Sequence, residues 1–578
     1  MLPQHATLLP QEQIFHALQD GGDKVALIVD KGEYTYSQVR DMTFALGKAL
    51  MENQVRSWSF LSNRTVTSYQ CFFAGLMAGT TNIPLTSTAP LVKVAFVMEH
   101  TQCELLAIDY ASASFAASLL LEHVKDNLLA KLNLWCSLRT ANQLWADLDK
   151  CYEDLCATHP EHSERLLARL QCIQNHIHVK DELAENPELY SLVPDFAPRK
   201  VDGQDTMYVM YTSGTTGHPK GVAISYESYR VYLNSIFDFY KVSSEDILAN
   251  FPDLTYDLGI QDPACAFLAH AQVVCPSKVE MAAPWHFINK YGITMVNSLP
   301  SLIKVLYKTT TAKQRTQPCK SLRLCVFVGE PLWYNQVEDF QKLFPNCRII
   351  NSYGPTEATV VITYYNIPKS DWQHLENKRT MVPLGMPIIK MPMLVVDKNL
   401  NEVPVGEQGT LLLGGPQVGI GYYNDEVKTQ ENFIFKDQER YYNTGDIVYL
   451  EELTDAQGQS TKMLHFVGRN DDLIKVDGYR VSLYEVEERL NQLCNQDTKV
   501  IAYYNANKER NELIAYLTQE PAQGLENLKA ELNKYLAFYM QPSDFVLIES
   551  FPLSANGKTD RKRLLSLYQE RCAACAKE

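Results

Sequence analysis

The stretch MYVMYTSGTTGHPKGVAIS, from Met207 to Ser225, limits the fold more than any other part of the chain. An apolar run enters a loop of glycine, serine and threonine, and Pro219, Lys220 and Gly221 lead out into a second apolar run. The pattern predicts a strand, a tight polar loop and a strand. Glycines let a backbone turn its N–H groups toward one point, hydroxyls add donors, and Lys220 adds a positive charge, so such a loop can face an anion. It is not a Walker loop, which needs Gly-Lys-Ser/Thr running into a helix. Taken alone it reads equally well as a surface hairpin.

The surroundings predict a layered α/β protein. In the first hundred residues, strand-like runs such as Val25–Val29 alternate with helix-like ones such as YTYSQVRDMTFALGKALMEN, for which Ser37 marks a helix start. From about 112 to 181 the chain turns leucine-rich and helical without glycine, which predicts a helical insert on the surface. After Arg469 a compact α+β segment begins, with helices expected over 482–493 and 524–536 and strands over 499–504 and 512–517. At 578 residues the chain is too long for one core. A net charge of −15 disfavours nonspecific binding to nucleic acid or anionic lipid. No basic-then-apolar leader opens the chain and no run is long enough to span a bilayer, so a cytoplasmic protein is expected. The 14 cysteines are scattered, as reduced thiols would be, and the CxxC at Cys572 and Cys575 reads as a frayed tail.

Four further motifs follow the opening loop: NSYGPTEAT from Asn351, YYNTGD ending at Asp446, FVGRNDDLIKVDGYRVSLYEVE from Phe466, and LSANGKTDRKRL from Leu553. In this order and at these separations they closely resemble the adenylate-forming superfamily, which includes acyl-CoA synthetases, luciferases, peptide-synthetase adenylation domains and D-alanine–carrier-protein ligases. The resemblance implies an acetyl-CoA synthetase-like fold: a large N-terminal domain of α/β-layered sheets plus a distorted β-barrel over residues 1–470, and a small mobile α+β domain over 471–578. It also implies ATP and Mg2+ as cofactors. A substrate carboxylate attacks the α-phosphate, pyrophosphate leaves, and a thiol takes the acyl group.

Carried over position by position, the resemblance places Thr212, Ser213, Gly214, Thr215, Thr216, Gly217 and Lys220 on the β- and γ-phosphates. Asn351, Ser352, Tyr353, Gly354 and Pro355 fall at the adenine site, Thr356 at the α-phosphate and Glu357 on magnesium. Asp446 and Arg469 meet the ribose, where an ionised carboxylate makes strong hydrogen bonds. Lys558 is the catalytic cation that meets both the substrate carboxylate and the phosphate under attack, a setting in which charge stabilisation dominates. Asp471 is the hinge, and Gly478 fits the strand that guides the thiol arm. Leu473 and Asp477 depart from the pattern, which often has glutamine and a basic residue there.

Tyr256-Asp257 matches the Phe-Asp that opens the pocket in amino-acid-activating members. A carboxylate there pairs with the substrate ammonium, which could not be buried alone cheaply. The same register places Leu258, Gln261, Ser298, Val326, Val328, Ser352, Val360 and Val361 around the substrate side chain. The wall is aliphatic with a few neutral polar groups, which suits a small or medium neutral amino acid. The segment VFVGEPLWYNQVEDFQKLFPNCRIINSYGPTEATVVIT resembles the D-alanine ligases most, although they usually carry cysteine where Val328 stands. The expected acceptor is the phosphopantetheine thiol of a separate carrier protein, or coenzyme A. Two alternatives remain: a stand-alone peptide-synthetase adenylation domain for another neutral amino acid, and an acyl-CoA ligase. A non-catalytic nucleotide sensor is disfavoured by the retained Lys558.

Overall fold

The computed structural model describes residues 6–183, 190, 193, 195–212, 219–315, 319–370, 380–454, 460–469, 473–508, 510–552 and 559–575. The chain divides into two compact units, the first built from Met1–Thr88, Val94–Tyr211 and Gly221–Gly468, and the second from Arg469–Glu578 with the short stretches Ala89–Lys93 and Thr212–Lys220.

The first unit contains a nine-stranded sheet. Its centre is parallel: Val25–Val29, Gln272–Val274, Ile247–Asn250, Met295–Ser298, Leu324–Phe327 and Arg348–Tyr353 lie side by side in that order. Thr363–Asn366 lies antiparallel to Arg348–Tyr353, and the short Met386–Pro387 strand closes that side. Successive residues of a strand point to opposite faces, and both faces are packed. Leu248, Val326 and Ile350 enter one apolar cluster, while Ala249, Cys325, Phe327 and Ile349 enter another. The register pairs Ser298 with Phe327 and Phe327 with Asn351, so the carboxyl ends of these strands are level. In open α/β sheets this is the edge where ligands bind.

An eight-stranded sheet forms the second layer, in the order Gly421–Tyr422, Lys220–Ser225, Thr206–Thr212, Thr81–Thr86, Ser57–Ser62, Leu105–Ala107, Asn133–Cys136 and Ile177–Val179. The strand–loop–strand reading of Met207–Ser225 is thereby met by two adjacent strands. The stretch expected to be a helical surface insert is mostly helical, and two short strands within it join the sheet. Asn133–Cys136 and Ile177–Val179 are parallel strands that extend the sheet, with the Leu138–Thr158 and Ser163–Asn175 helices between them. Strands of four and three residues carry too little alternation to be read from sequence. A five-stranded antiparallel sheet containing Gly409–Gly414 and Glu439–Thr454 completes the unit.

Several helix starts carry side-chain caps. The first long helix begins one residue before the expected Ser37: Thr35 Oγ1 accepts the Gln38 N–H at 3.2 Å, and Ser37 Oγ instead donates to the Gly22 carbonyl at 2.9 Å.

In the second unit, Leu473–Val476 and Tyr479–Ser482 form a hairpin across Asp477 and Gly478, whose φ angles of 47° and 84° suit a tight two-residue turn. Thr498–Asn505, Arg510–Leu517 and Asp544–Leu547 make a three-stranded sheet. The Leu483–Cys494 and Leu525–Tyr535 helices pack Val486, Leu490, Leu528 and Leu532 against Val500 and Leu513. The expected frayed tail is instead a helix, Arg561–Cys575, which seats Cys572 against a second small cluster.

Candidate functional site

The carboxyl edge of the nine-stranded sheet brings together most of the residues singled out above. The Ile247–Asn250 strand ends in a turn in which Asp253 Oδ1 accepts the Thr255 N–H at 3.0 Å and its hydroxyl at 2.9 Å. The Asp257–Leu268 helix follows at once, so Asp257 sits in a first helical turn, where backbone N–H groups favour a carboxylate. A side chain at Gly259 would lie 2.1 Å from the Asp253 carbonyl oxygen, so turn and helix meet backbone to backbone. Pro263 lacks the N–H that would reach the Gly259 carbonyl, and Asn250 Nδ2 supplies a donor to that carbonyl at 2.9 Å.

Asp257 is the most unusual group at this edge. Its Oδ1 accepts the Leu258 N–H at 2.9 Å, while its Oδ2 is buried with no hydrogen-bond partner among the described residues. Burial pushes the carboxyl up to about 6; the Thr356 hydroxyl and the Leu258 and Val360 N–H groups pull against that rise, and the Glu357 charge adds to it. A buried unpaired carboxylate oxygen is costly unless something donates to it. Asp262, one turn further along, is also pushed up, to about 7, yet both its oxygens accept side-chain amides from Asn250 and Asn297. Asp253 makes a turn, Asp262 braces the interior, and among the described residues Asp257 alone of the three has a buried oxygen without a donor.

Leu258, Val326, Val328, Val360 and Val361 share one apolar cluster. Ser298 and Ser352 stand at strand ends beside it; the Val328 N–H donates to the Ser298 carbonyl at 3.0 Å, and Ser352 Oγ donates to the Phe327 carbonyl at 3.1 Å. Gln261 is fully buried, and its Oε1 accepts the Tyr232 hydroxyl.

Beyond Arg348–Tyr353 the chain turns sharply. Gly354 is required there, because a Cβ would fall 2.4 Å from Val361 Cα. Pro355 precedes a single 3-10 turn, Thr356–Ala358, that carries Glu357. Glu357 is 1% exposed, and its Oε1 accepts the Tyr422 hydroxyl at 3.0 Å. Tyr353 packs between the large sheet and the five-stranded one, beside Leu384 and Leu411. Its hydroxyl donates to Asp446 Oδ2. Asp446 is aimed by an irregularity: Thr410 pairs with Ile447 but Leu412 with Asn443, so two extra residues stand opposite Leu411. The Asp446 N–H donates to Thr444 Oγ1 at 3.0 Å within that bulge. The Asn351 amide, expected beside adenine, donates to the Pro383 carbonyl at 2.7 Å.

Lys220 opens its strand and Arg469 closes another. Thr212 Oγ1 is buried without a hydrogen-bond partner among the described residues. Ser213, Gly214, Thr215, Thr216, Gly217, Asp471 and Lys558 lie outside the described residues. Among the described residues no three His, Cys, Asp or Glu side chains converge as a metal cage. No helix of the described residues is long and apolar enough to cross a membrane.

The sequence reading passes over Tyr422 and Gln417, which hold Glu357 and Val361 by hydrogen bonds, and Asn250, which braces Gly259 and Asp262 in the helix that Asp257 opens. For the first two a signal exists: GGPQVGIGYY is a glycine-rich run between apolar strands, as is the loop after Met207–Thr212.

Comparison with known proteins follows the same lines. The AMP-binding enzyme family matches residues 14–423. Tyrocidine synthase 3 of Brevibacillus parabrevis is 28% identical over 577 residues, 96% of this chain but only 8% of that protein, so the chain spans a small part of that relative. The D-alanine–D-alanyl carrier protein ligase of Bacillus licheniformis is 29% identical over 382 residues, 64% of this chain and 73% of that one. Among solved structures, the Vibrio cholerae adenylation domain AlmE, in complex with glycyl-adenosine-5'-phosphate, superposes with a TM-score of 0.78 at 25% identity, covering 97% of this chain and 98% of its own.

Proposed function

The chain belongs to the AMP-binding enzyme family, and from that premise we propose that it activates a small or medium neutral amino acid with ATP and passes it to the phosphopantetheine thiol of a separate carrier protein. The observation that carries the amino-acid reading is Asp257, enclosed beside an aliphatic wall with one oxygen lacking a donor. A substrate ammonium supplies donors and an opposite charge to that oxygen. A fatty or aryl acid supplies neither and would leave the carboxylate unpaired.

The reaction runs in two steps. A carboxylate oxygen of the amino acid bonds to the α-phosphorus of ATP, and the bond to the β-phosphate breaks, releasing pyrophosphate. The thiol sulfur then bonds to the acyl carbon, AMP leaves, and the thiol proton is lost. In the first step anion meets anion, so the chain's work is to position and to neutralise. Asp257 holds the ammonium, and Val326, Val328, Val360 and Val361 flank the side chain with Leu258, Gln261, Ser298 and Ser352. Tyr353 packs on adenine within Asn351–Pro355, and Asp446 with Arg469 takes the ribose hydroxyls. Thr356 reaches the α-phosphate. Thr212, Lys220 and the loop between them take the outer phosphates, and Lys558 brings its cation to the reacting oxygens.

Glu357 suits magnesium as a single enclosed carboxylate with one oxygen steadied by Tyr422. Magnesium keeps most of its ligands from phosphate and water, and when bound it offsets phosphate charge. We take residues 1–470 as the adenylating core and 471–578 as the domain that turns about Asp471. An adenylation domain of peptide-synthetase type for another neutral amino acid is the second reading, favoured by the 96% of this chain that matches tyrocidine synthase 3. Hydroxylamine trapping tests the proposal. With ATP, magnesium and a panel of L- and D-amino acids, the hydroxamate of a small neutral member should accumulate; hydroxamates from fatty or aryl acids alone would refute it.

A further inference from the structure

Thr359 and Val360 are consecutive β-branched residues with φ angles of 57° and 64°. In this left-handed region a branched Cβ crowds the backbone, and such conformations persist only where the surroundings impose them. The surroundings here are one short segment. Thr359 Oγ1 donates to the Gln417 carbonyl at 2.6 Å, and Gln417 Nε2 donates to the Val361 carbonyl at 3.0 Å. The Gly419 N–H donates to the Glu357 carbonyl at 2.9 Å. Thr359 is fully buried and Gln417 is 3% exposed, so water does not compete for these bonds. On the opposite side, Val361 is pressed against Gly354. The turn is therefore held from both sides, and the side chain of Gln417 reaches past it to the first residue beyond the strain.

We propose that Gln417 is a positioning residue for the amino-acid pocket: by clamping Thr359–Val361 in a left-handed turn, it sets the aliphatic wall and the Val360 N–H that faces Asp257. The inference rests on the reading of Val360 and Val361 as pocket wall. Gln417 touches neither substrate nor nucleotide; it acts through the backbone it holds. Without its amide the two β-branched residues relax toward ordinary φ, which moves the wall and the Val360 N–H together. The nucleoside side of the site does not share this dependence, because Tyr353 and Asp446 are tied to each other and to the Thr444 bulge.

The test uses the full chain with Gln417→Ala and, as a second probe of unchanged shape, Thr359→Val, which removes the other bond. In amino-acid-dependent pyrophosphate exchange, both variants should raise KM for the amino acid tenfold or more while KM for ATP stays within about twofold. A protein that is merely less well folded would lose kcat in proportion to its active fraction, with both KM values unchanged. Hydrogen exchange, which needs no activity, should show faster exchange at residues 357–361 with the Arg348–Tyr353 strand unaltered. Equal losses for amino acid and ATP, unchanged KM in both variants, or wild-type exchange at 357–361 would overturn the proposal. If the wild-type protein exchanged pyrophosphate with no amino acid, the amino-acid reading would fall, and the hydrogen-exchange result would still decide whether Gln417 holds the turn.

Discussion

Asp257 is held near 6, so the proposed ammonium partner is an ionised carboxylate at neutral pH and loses its charge in mild acid. Amino-acid-dependent kcat/KM should fall about tenfold per pH unit below about 6, while ATP binding measured alone should not follow that profile. The same shift acts on stability. Folding raises this acid from 3.8 to about 6, so the native state keeps a proton that the unfolded chain has shed, and the site favours folding at low pH. That contribution is lost as pH rises through 6, and the charged form then costs roughly 3 kcal/mol at one-and-a-third kcal per unit. Asp257→Asn should therefore melt higher than wild type at pH 8, with the difference gone near pH 4, as read from thermal midpoints. The same variant should lose amino-acid affinity by about a hundredfold. Which of three nearby aspartates matters is legible from the Tyr256-Asp257 pair and its register with later motifs. The unpartnered oxygen is not legible, because it depends on what Asn250, Asn297 and Thr255 donate to the other two.

Elements are fixed here by close backbone contacts that only glycine permits. Gly259→Ala would drive a methyl into the Asp253 carbonyl, and the Asp257–Leu268 helix would have to withdraw from its turn. We expect that variant to be destabilised by about 1–3 kcal/mol, as overpacked positions are, and to lose amino-acid binding more than nucleotide binding. Calorimetric titration with each ligand checks the second point. Gly22, where an added Cβ meets nothing within 4 Å, is the control, although its φ of 59° makes alanine mildly strained there. Long periodic helices and the strands that flank glycine loops are legible: Val25–Val29 lies where the apolar run predicts, and the second-unit helices fall within a residue or two. The Asn133–Cys136 and Ile177–Val179 strands are not, since they are defined by pairing with Leu105–Ala107 and with each other. The Gln417 clamp is illegible for the same reason: two segments more than fifty residues apart meet only in the folded protein.

At the scale of the whole molecule, five motifs in a fixed order suffice to point to the family, because each demands a specific residue where a sheet edge or loop offers one. Folding then gathers Asp257, Glu357, Tyr353 and Asp446 within the first unit, while Lys558 belongs to the chain's last hundred residues. Lys558→Ala should abolish adenylate formation, a loss on the order of a hundredfold or more, and leave ATP binding intact by equilibrium dialysis. Pyrophosphate exchange with alanine and with propionate, its counterpart lacking the amine, tests the pairing of Asp257 with an ammonium most directly. The predicted result is exchange with a small neutral amino acid, none with the deaminated acid, and loss of that preference in Asp257→Asn. Equal exchange with both acids, unaffected by the substitution, would contradict it.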